Sequence, residues 1–293
     1  MDEHPLVSIV TPSYNQGKFI EDTLSSVKNQ DYPNIEHIVV DGGSTDNTLA
    51  VLNRFKKEYN LRWVSEPDLG QSDAINKGFR MSKGEIVGWV NSDDVYFDKQ
   101  AVSYIVEQFK SYRDVGVIHG DSLLINKDNL IIRVRHAFLW FSHERLLRGN
   151  IIIQSAAFFR RSVVQSNKLD ISLDLVMDYE YWLRLIKAGL KFKRVNRVLS
   201  ANRIHPAAKA RLRNQEERGA ERRRVQEKYG QRFGVWYNLL SFFDVLISVP
   251  LKRLAGLNIV VRLYTNFERK NLAFPAKFDS CPKMMLRQLF PFV

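Results

Sequence analysis

An α/β fold with a mixed, mostly parallel sheet between helices is what this sequence predicts. Short Val- and Ile-rich runs alternate with helical patterns through the front two thirds of the chain, the spacing of βαβ units. Several of those runs end in polar clusters, as strands do where an open α/β sheet binds a ligand beyond its carboxyl ends. Hydrophobic residues make up 45% of the 293, enough for a packed core.

Residues 6–11 (LVSIVT) read as a buried strand, followed by a helix over about 18–28 with Phe19, Ile20, Leu24 and Val27 inward. Residues 35–41 form the second strand, and Ser44-Thr45-Asp46 opens a helix whose free amides short polar side chains can cap. A third strand spans 61–65, a third helix 71–81 and a fourth strand 85–90, which ends at Asn91-Ser92-Asp93-Asp94. After a helix over 99–112, residues 116–120 give a strand, and 123–125 with 130–134 flank Lys127-Asp128-Asn129 as a hairpin. Residues 151–159 are strand-like; 178–188 form a helix stopped by Gly189, and a short strand runs to about 198. Trp89 and Trp182 read as core residues.

Charge divides the chain. Residues 200–293 hold 18 Lys plus Arg against 7 Asp plus Glu, whereas the first 199 hold 26 against 25. The expected organisation is a catalytic body over 1–207 and a basic, partly amphipathic helical extension over 208–293. Residues 209–232 read as a solvated helix. Residues 235–251 place Trp236, Leu239, Phe243 and Ile247 at helical spacing, but Asp244 and Pro250 interrupt them, so an amphipathic helix fits better than a membrane span. Basic residues around it point to an anionic membrane surface as partner, through 209–262; packing on the body and a dimer contact are the other readings. The acidic start lacks the order of a signal peptide, and one cysteine, Cys281, gives no internal disulfide. A cytoplasmic protein, peripheral on the inner face of the plasma membrane, is expected.

Three strand ends carry candidate chemistry: 11–15 (TPSYN), 41–44 (DGGS) and 91–94 (NSDD). Each alone has a plain explanation as a turn or helix cap; together they would line one edge of the sheet. Paired carboxylates there suit a hard divalent cation, Mn²⁺ or Mg²⁺, which fills its remaining sites with water and phosphate oxygens. Neither a P-loop nor a dinucleotide-binding glycine pattern occurs, so a nucleotide diphosphate held through a metal is the reading left.

The segments VTPSYN (10–15), VDGGSTD (40–46), EPDLGQSDAINKG (66–78) and NSDD (91–94) resemble the family 2 glycosyltransferases with the GT-A fold, over about 6–205. The resemblance implies inverting transfer from a nucleotide-diphosphate sugar. It places Thr11 and Tyr14 against the nucleoside, Asp41 on the base (a uracil most naturally), Asp93 near the ribose, Asp94 on the metal, and Asp73 and Asn76 on the donor sugar. Asn91 stands where some members have a first aspartate. In VMDYEYWLR (176–184) Met177 replaces the family's glutamate, and Asp178 keeps the position of the catalytic base, with Glu180 as second candidate on another helix face. His205 resembles a histidine found near the metal or diphosphate, although Ala207-Ala208 replace the usual Gly and Ser. Asp121 and Gln154-Ser155, at further strand ends, are candidates for the sugar or acceptor pocket, Asp121 for the donor sugar.

The resulting expectation is a metal-dependent glycosyltransferase moving a sugar, UDP-linked, to a glycan or lipid-linked acceptor in cell-surface polysaccharide or glycolipid synthesis. No nucleic-acid partner is expected. A nucleotidyltransferase would share the sheet and the aspartate pair, but residues 11–17 lack a glycine-rich basic nucleotide loop. A non-enzymatic polyanion binder would explain the tail and leave the polar strand ends without purpose.

Overall fold

The computed structural model describes residues 4–135, 137, 143–209, 215–230 and 273. Strand β1 (Val7–Ser13) lies between β2 (Ile35–Asp41) and β4 (Ile86–Trp89), and β3 (Leu61–Ser65) extends β2; all these pairings are parallel. Helices cover both faces, so β1 is buried along its whole length, with Ser8, Thr11 and Ser13 buried beside Val7, Ile9 and Val10. Beyond β4 the sheet becomes mixed. β8 (Ala157–Arg160) runs antiparallel to β4 and to β6 (Val117–Asn126), while β9 (Phe192–Ile204) runs parallel to β6. β5 (Val95–Tyr96) closes the edge against β9, and β7 (Ile131–Arg135) forms the hairpin with β6.

The helices are α1 (Ile20–Lys28), α2 (Thr48–Phe55), α3 (Gln71–Met81), α4 (Ala101–Ser111), α5 (His143–Arg148), α6 (Arg161–Ser166), α7 (Met177–Lys187) and α8 (Gln215–Lys228). Trp89 and Trp182 belong to one core with Val10, Phe79 and Phe159, and Phe159 stacks on Trp182 at 5.6 Å between centroids. Ile105, Phe109, Ile118 and Phe158 fill the opposite face.

The expected fold holds, with three local differences. The strands expected at 116–120 and 123–125 are one strand, β6. Asp121 and Ser122 looked like a break, yet both are buried and satisfied inside the sheet. The run 151–159 opens with a 3₁₀ turn, Gln154–Ala156, and only then becomes β8. Strand β5 has two residues, too few for any periodicity to show.

Helix α8, which lies inside the expected extension, packs on the body. α8 docks through Val225, which joins the core of Trp182, and through buried Gln226, which donates to Leu147 O at 2.7 Å. Buried Glu221 accepts the backbone N–H groups of Asp174, Leu175 and Val176 at 2.8, 2.8 and 2.9 Å. Those amides lead into α7, so Glu221 ties the first helix past the expected boundary to the helix of Asp178. Among the described residues no helix is long and apolar enough to cross a membrane. The amphipathic stretch 235–251, and with it most of the expected membrane-facing segment 209–262, lies outside the described residues.

Gly78, on α3, has a packing reason. A Cβ there would overlap Val10 Cγ1, in the fully buried centre of β1. Gly78→Ala gains about 1 kcal/mol of helix propensity but meets an overpacking cost of about 1–3 kcal/mol. A net loss of stability is expected, read as a lower urea midpoint at unchanged slope.

Candidate active site

The register Ser13↔Asp41↔Ser65 aligns the ends of β1, β2 and β3, and the parallel β4 brings Asn91–Asp94 to the same edge. Asn91 organises the turn. Its Oδ1 accepts from Trp89 Nε1 (3.1 Å) and Gln71 Nε2 (3.0 Å); its Nδ2 donates to Gln154 Oε1 (3.1 Å) and Asp94 Oδ2 (3.4 Å). An aspartate could not make the last two bonds, which explains an amide at this position.

After the turn, β5 pairs with β9 and locks 93–96 against 200–205. Asp94 points inward and is buried. Its Oδ1 accepts Arg203 N (2.9 Å) and its Oδ2 accepts Asn202 Nδ2 (2.9 Å). Burial, then the neighbouring Asp93 charge, raises its carboxyl well above the ordinary range; the Arg203 amide and Asn202 oppose them. Asp93 points the other way, with its side chain 22% exposed, and its Oδ2 lies 3.0 Å from Nε2 of buried His205. Phe19 packs on the imidazole at 4.3 Å, and Arg203 anchors the turn by donating to Asp93 O (2.9 Å) and Asp22 (2.9 Å).

A cavity of about 580 Å³ opens beside this turn, within the range of small-molecule sites. Asn202 and Gln154 line it, and so do Arg135, Asn150, Asp178, Arg218 and Arg222. Asp178 stands in the first turn of α7. Its Oδ2 accepts from Asn150 Nδ2 (2.7 Å) and its Oδ1 from Tyr179 N (2.8 Å). Burial raises its pKa, partly offset by those two hydrogen bonds and by the charges of Arg218 and Arg135. A raised carboxylate is a stronger base, and it sits in a cavity that can hold a substrate hydroxyl.

A family model described as Glycosyl transferase family 2 matches residues 8–166. The chain belongs to that family. Among its curated relatives is the chondroitin synthase of Pasteurella multocida, 29% identical over 202 residues, covering 69% of this chain and 21% of the synthase. The chain thus spans about a fifth of that relative's length. The mannosyltransferase PcManGT of Pyrobaculum calidifontis, solved with GDP-Man and Mn²⁺, superposes with TM-score 0.61 at 17% identity, over 91% of this chain and 77% of that one. S. aureus TarS 1–349, solved with UDP-GlcNAc, superposes with TM-score 0.60 at 18% identity, over 91% and 74%. This family 2 glycosyltransferase has the GT-A fold expected of it.

Tyr14 is 61% exposed at the end of β1, beside the 41–44 loop, free to stack on a ring. Asp73, in the first turn of α3, is half-buried and accepts Leu69 N at 3.3 Å. Four further candidates lie within the scaffold. Thr11 is fully buried in β1, with Oγ1 2.9 Å from His37 Nε2, and its side chain does not reach the edge. Asp41 is also buried: it accepts from Ser44 N (2.8 Å), Gly43 N (3.1 Å), Ser65 Oγ (2.7 Å) and Ser44 Oγ. Its carboxylate folds the loop, in which Gly43 has φ +84°. Asn76 exchanges hydrogen bonds with Leu169 O (3.0 Å) and Leu169 N (2.8 Å), clamping α3 to the segment before α7. Asp121 pairs with Arg194 at 3.0 Å inside the sheet and accepts Ala137 N.

The two aspartates of the turn differ in their surroundings. Asp94 is consumed by Asn202 and Arg203, whereas Asp93 and His205 converge on the accessible side. His205 Nδ1 is buried and has no hydrogen-bond partner among the described residues. One carboxylate and one imidazole fit a divalent cation that draws the rest of its shell from water and phosphate; no cluster of three acidic, His or Cys ligands occurs among the described residues. Glu180 faces the other side of α7, buried against Arg184 and Tyr229.

Asn150, Asn202, Arg203 and Glu221 escaped the sequence reading. Amides carry no motif of their own, and Glu221 sat in a charged run.

His37 gives a pH test. Burial pushes its pKa from 6.5 down to about 3. Below 6.5 the unfolded chain takes up a proton that the folded chain refuses. Stability is therefore full above 6.5 and falls as pH drops toward 3, by up to about 1.4 kcal/mol per unit. Buried His119, pushed down to about 4, acts in the same sense. Melting temperatures measured from pH 7 to 4 should fall, and less steeply in His37→Asn.

Proposed function

We propose that this enzyme transfers a sugar, with inversion, from a UDP-linked donor to a hydroxyl of a glycan or lipid-linked acceptor in cell-surface polysaccharide or glycolipid synthesis. One observation carries the reading: Asn202 and Gln154 line the cavity of Asp178 and also hydrogen-bond the Asp94 and Asn91 of the acidic turn. An acceptor in that cavity lies next to a diphosphate at the turn.

In this reading Tyr14 stacks on the base, Asp93 and His205 hold Mn²⁺ or Mg²⁺, and Asp73 meets the donor sugar. The bound cation supplies Lewis-acid stabilisation of the departing diphosphate. Asp178 takes the acceptor's hydroxyl proton as that oxygen bonds to the anomeric carbon. The bond from that carbon to the diphosphate oxygen breaks, and the electron pair leaves with the diphosphate. Asn150 fixes which carboxylate oxygen is free to act. The proposed setting is the cytoplasmic side of an anionic membrane, which the excess of 18 basic over 7 acidic residues after 199 would favour.

A panel of nucleotide-sugars in a thermal-shift assay, with and without Mn²⁺, tests the donor class. A ligand that binds only the folded chain raises its melting temperature by mass action. The reading expects UDP-sugars to act and Mn²⁺ to enlarge the shift. A shift with none of them would sink it.

A further inference from the structure

We propose that Arg135, Arg218 and Arg222 form a phosphate-binding subsite in the Asp178 cavity, so that the acceptor carries a phosphate close to its attacking hydroxyl. This rests on the reading of Asp178 as the base that defines the acceptor side.

Among the described residues, the three arginines line the cavity together with a single carboxylate, Asp178. Their balance, three positive charges against one negative, is unusual in this molecule, because other arginines near the sheet are spent. Arg194 pairs with Asp121, Arg197 with Asp98, Arg203 with Asp22 and Arg184 with Glu180. Arg135 and Arg218 act on Asp178 through their charge but form no direct ion pair among the described residues; Arg135 makes one long hydrogen bond, to Asn202 Oδ1 at 3.3 Å. Arg222 donates to Arg148 O and lies 6.0 Å from the Tyr179 ring, contacts that orient it without neutralising it.

The fold holds this charge in place. Arg218 and Arg222 are four residues apart and so share a face of α8. That helix is fixed by the three backbone hydrogen bonds to Glu221 and by Gln226 on Leu147. Arg135 reaches the cavity from the end of β7. Three cations around one cavity would be self-repelling unless a ligand brings negative charge, and guanidinium groups match phosphate oxygens in bidentate geometry. The net positive charge exceeds what one carboxylate would offset and matches a phosphate monoester dianion. In the proposed reading the donor diphosphate sits at Asp93 and His205, which are not among the described residues lining this cavity.

Binding of glycerol 1-phosphate to the full chain, by calorimetry in the presence of UDP and Mn²⁺, tests the subsite; glycerol and glucuronate serve as controls. Dihexanoyl phosphatidic acid in the same assay separates a lipid-borne phosphate, which it would mimic more tightly, from a phosphate on a soluble or polymeric acceptor. Arg218→Gln with Arg222→Gln should weaken the phosphate esters at least about tenfold, since it removes two charge-assisted contacts. Arg218→Lys with Arg222→Lys should restore part of that, and higher salt should weaken the wild-type interaction. Equal affinity in wild type and the glutamine variant, or glucuronate binding as tightly as the phosphate ester, would overturn the subsite. UDP binding is read in the same titrations. Absence of UDP binding in wild type counts against the donor reading, whereas UDP binding without phosphate-ester binding removes only this subsite.

Discussion

Asp178→Asn is expected to lower sugar transfer by roughly 10²–10⁴-fold, the usual worth of general-base assistance, with UDP affinity close to wild type. The substitution keeps the shape of the side chain, and its Oδ1 can still accept Tyr179 N. What it removes is the basic oxygen in the cavity. Stability should fall by no more than the lost Asn150 hydrogen bond, about 1–3 kcal/mol: burial already raises the Asp178 pKa, so the folded state gains from losing a charge there. Steady-state rates together with a melting curve therefore separate lost chemistry from lost folding. Among the described residues no nearby carboxylate can take over easily. Glu180 is buried and held by Arg184 and by Tyr229 Oη at 2.6 Å. Transfer at the wild-type rate by Asp178→Asn would place the base elsewhere.

The sheet was largely legible in the sequence, and the reason is visible in its burial. β2, β3 and α3 fall on the expected residues: β2 buries Ile38, Val39 and Val40, β3 buries Leu61, and α3 buries Ala74, Ile75 and Phe79 on one face. Legibility failed where polar residues are satisfied by distant partners. Asp121 looked like a strand end because nothing local reveals that Arg194, 73 residues on, neutralises it. Thr11, Asp41 and Asn76 belong to recognisable motifs, yet each side chain is spent on the scaffold around the site. A motif reports which segments meet; the direction of each side chain depends on neighbours far along the chain. α8 shows the same limit from the other side. Its sequence has almost no apolar stripe, and it docks instead through one carboxylate, one amide and one valine.

Asp93→Ala should remove most transfer activity and raise the Mn²⁺ concentration needed to promote UDP binding, whereas Asp94→Asn should leave that requirement near wild type. The two carboxylates are neighbours in sequence, but the β5–β9 pairing turns them apart. Asp93 meets His205 on the accessible side at 3.0 Å. Asp94 is enclosed by donors: Arg203 N, Asn202 Nδ2 and Asn91 Nδ2. Loss of one electrostatic contact to a developing charge costs roughly 10²–10³-fold in rate, the drop expected for Asp93→Ala. In Asp94→Asn an amide NH₂ would face groups that can only donate, leaving a buried hydrogen bond unmade at a cost of about 1–3 kcal/mol. That variant should melt earlier yet, while folded, respond to Mn²⁺ as wild type does. Titrating Mn²⁺ against UDP binding below both melting temperatures decides between them. A raised midpoint in Asp94→Asn and none in Asp93→Ala would return the cation to Asp94, and would require Asn202 and Arg203 to release its carboxylate when the donor binds.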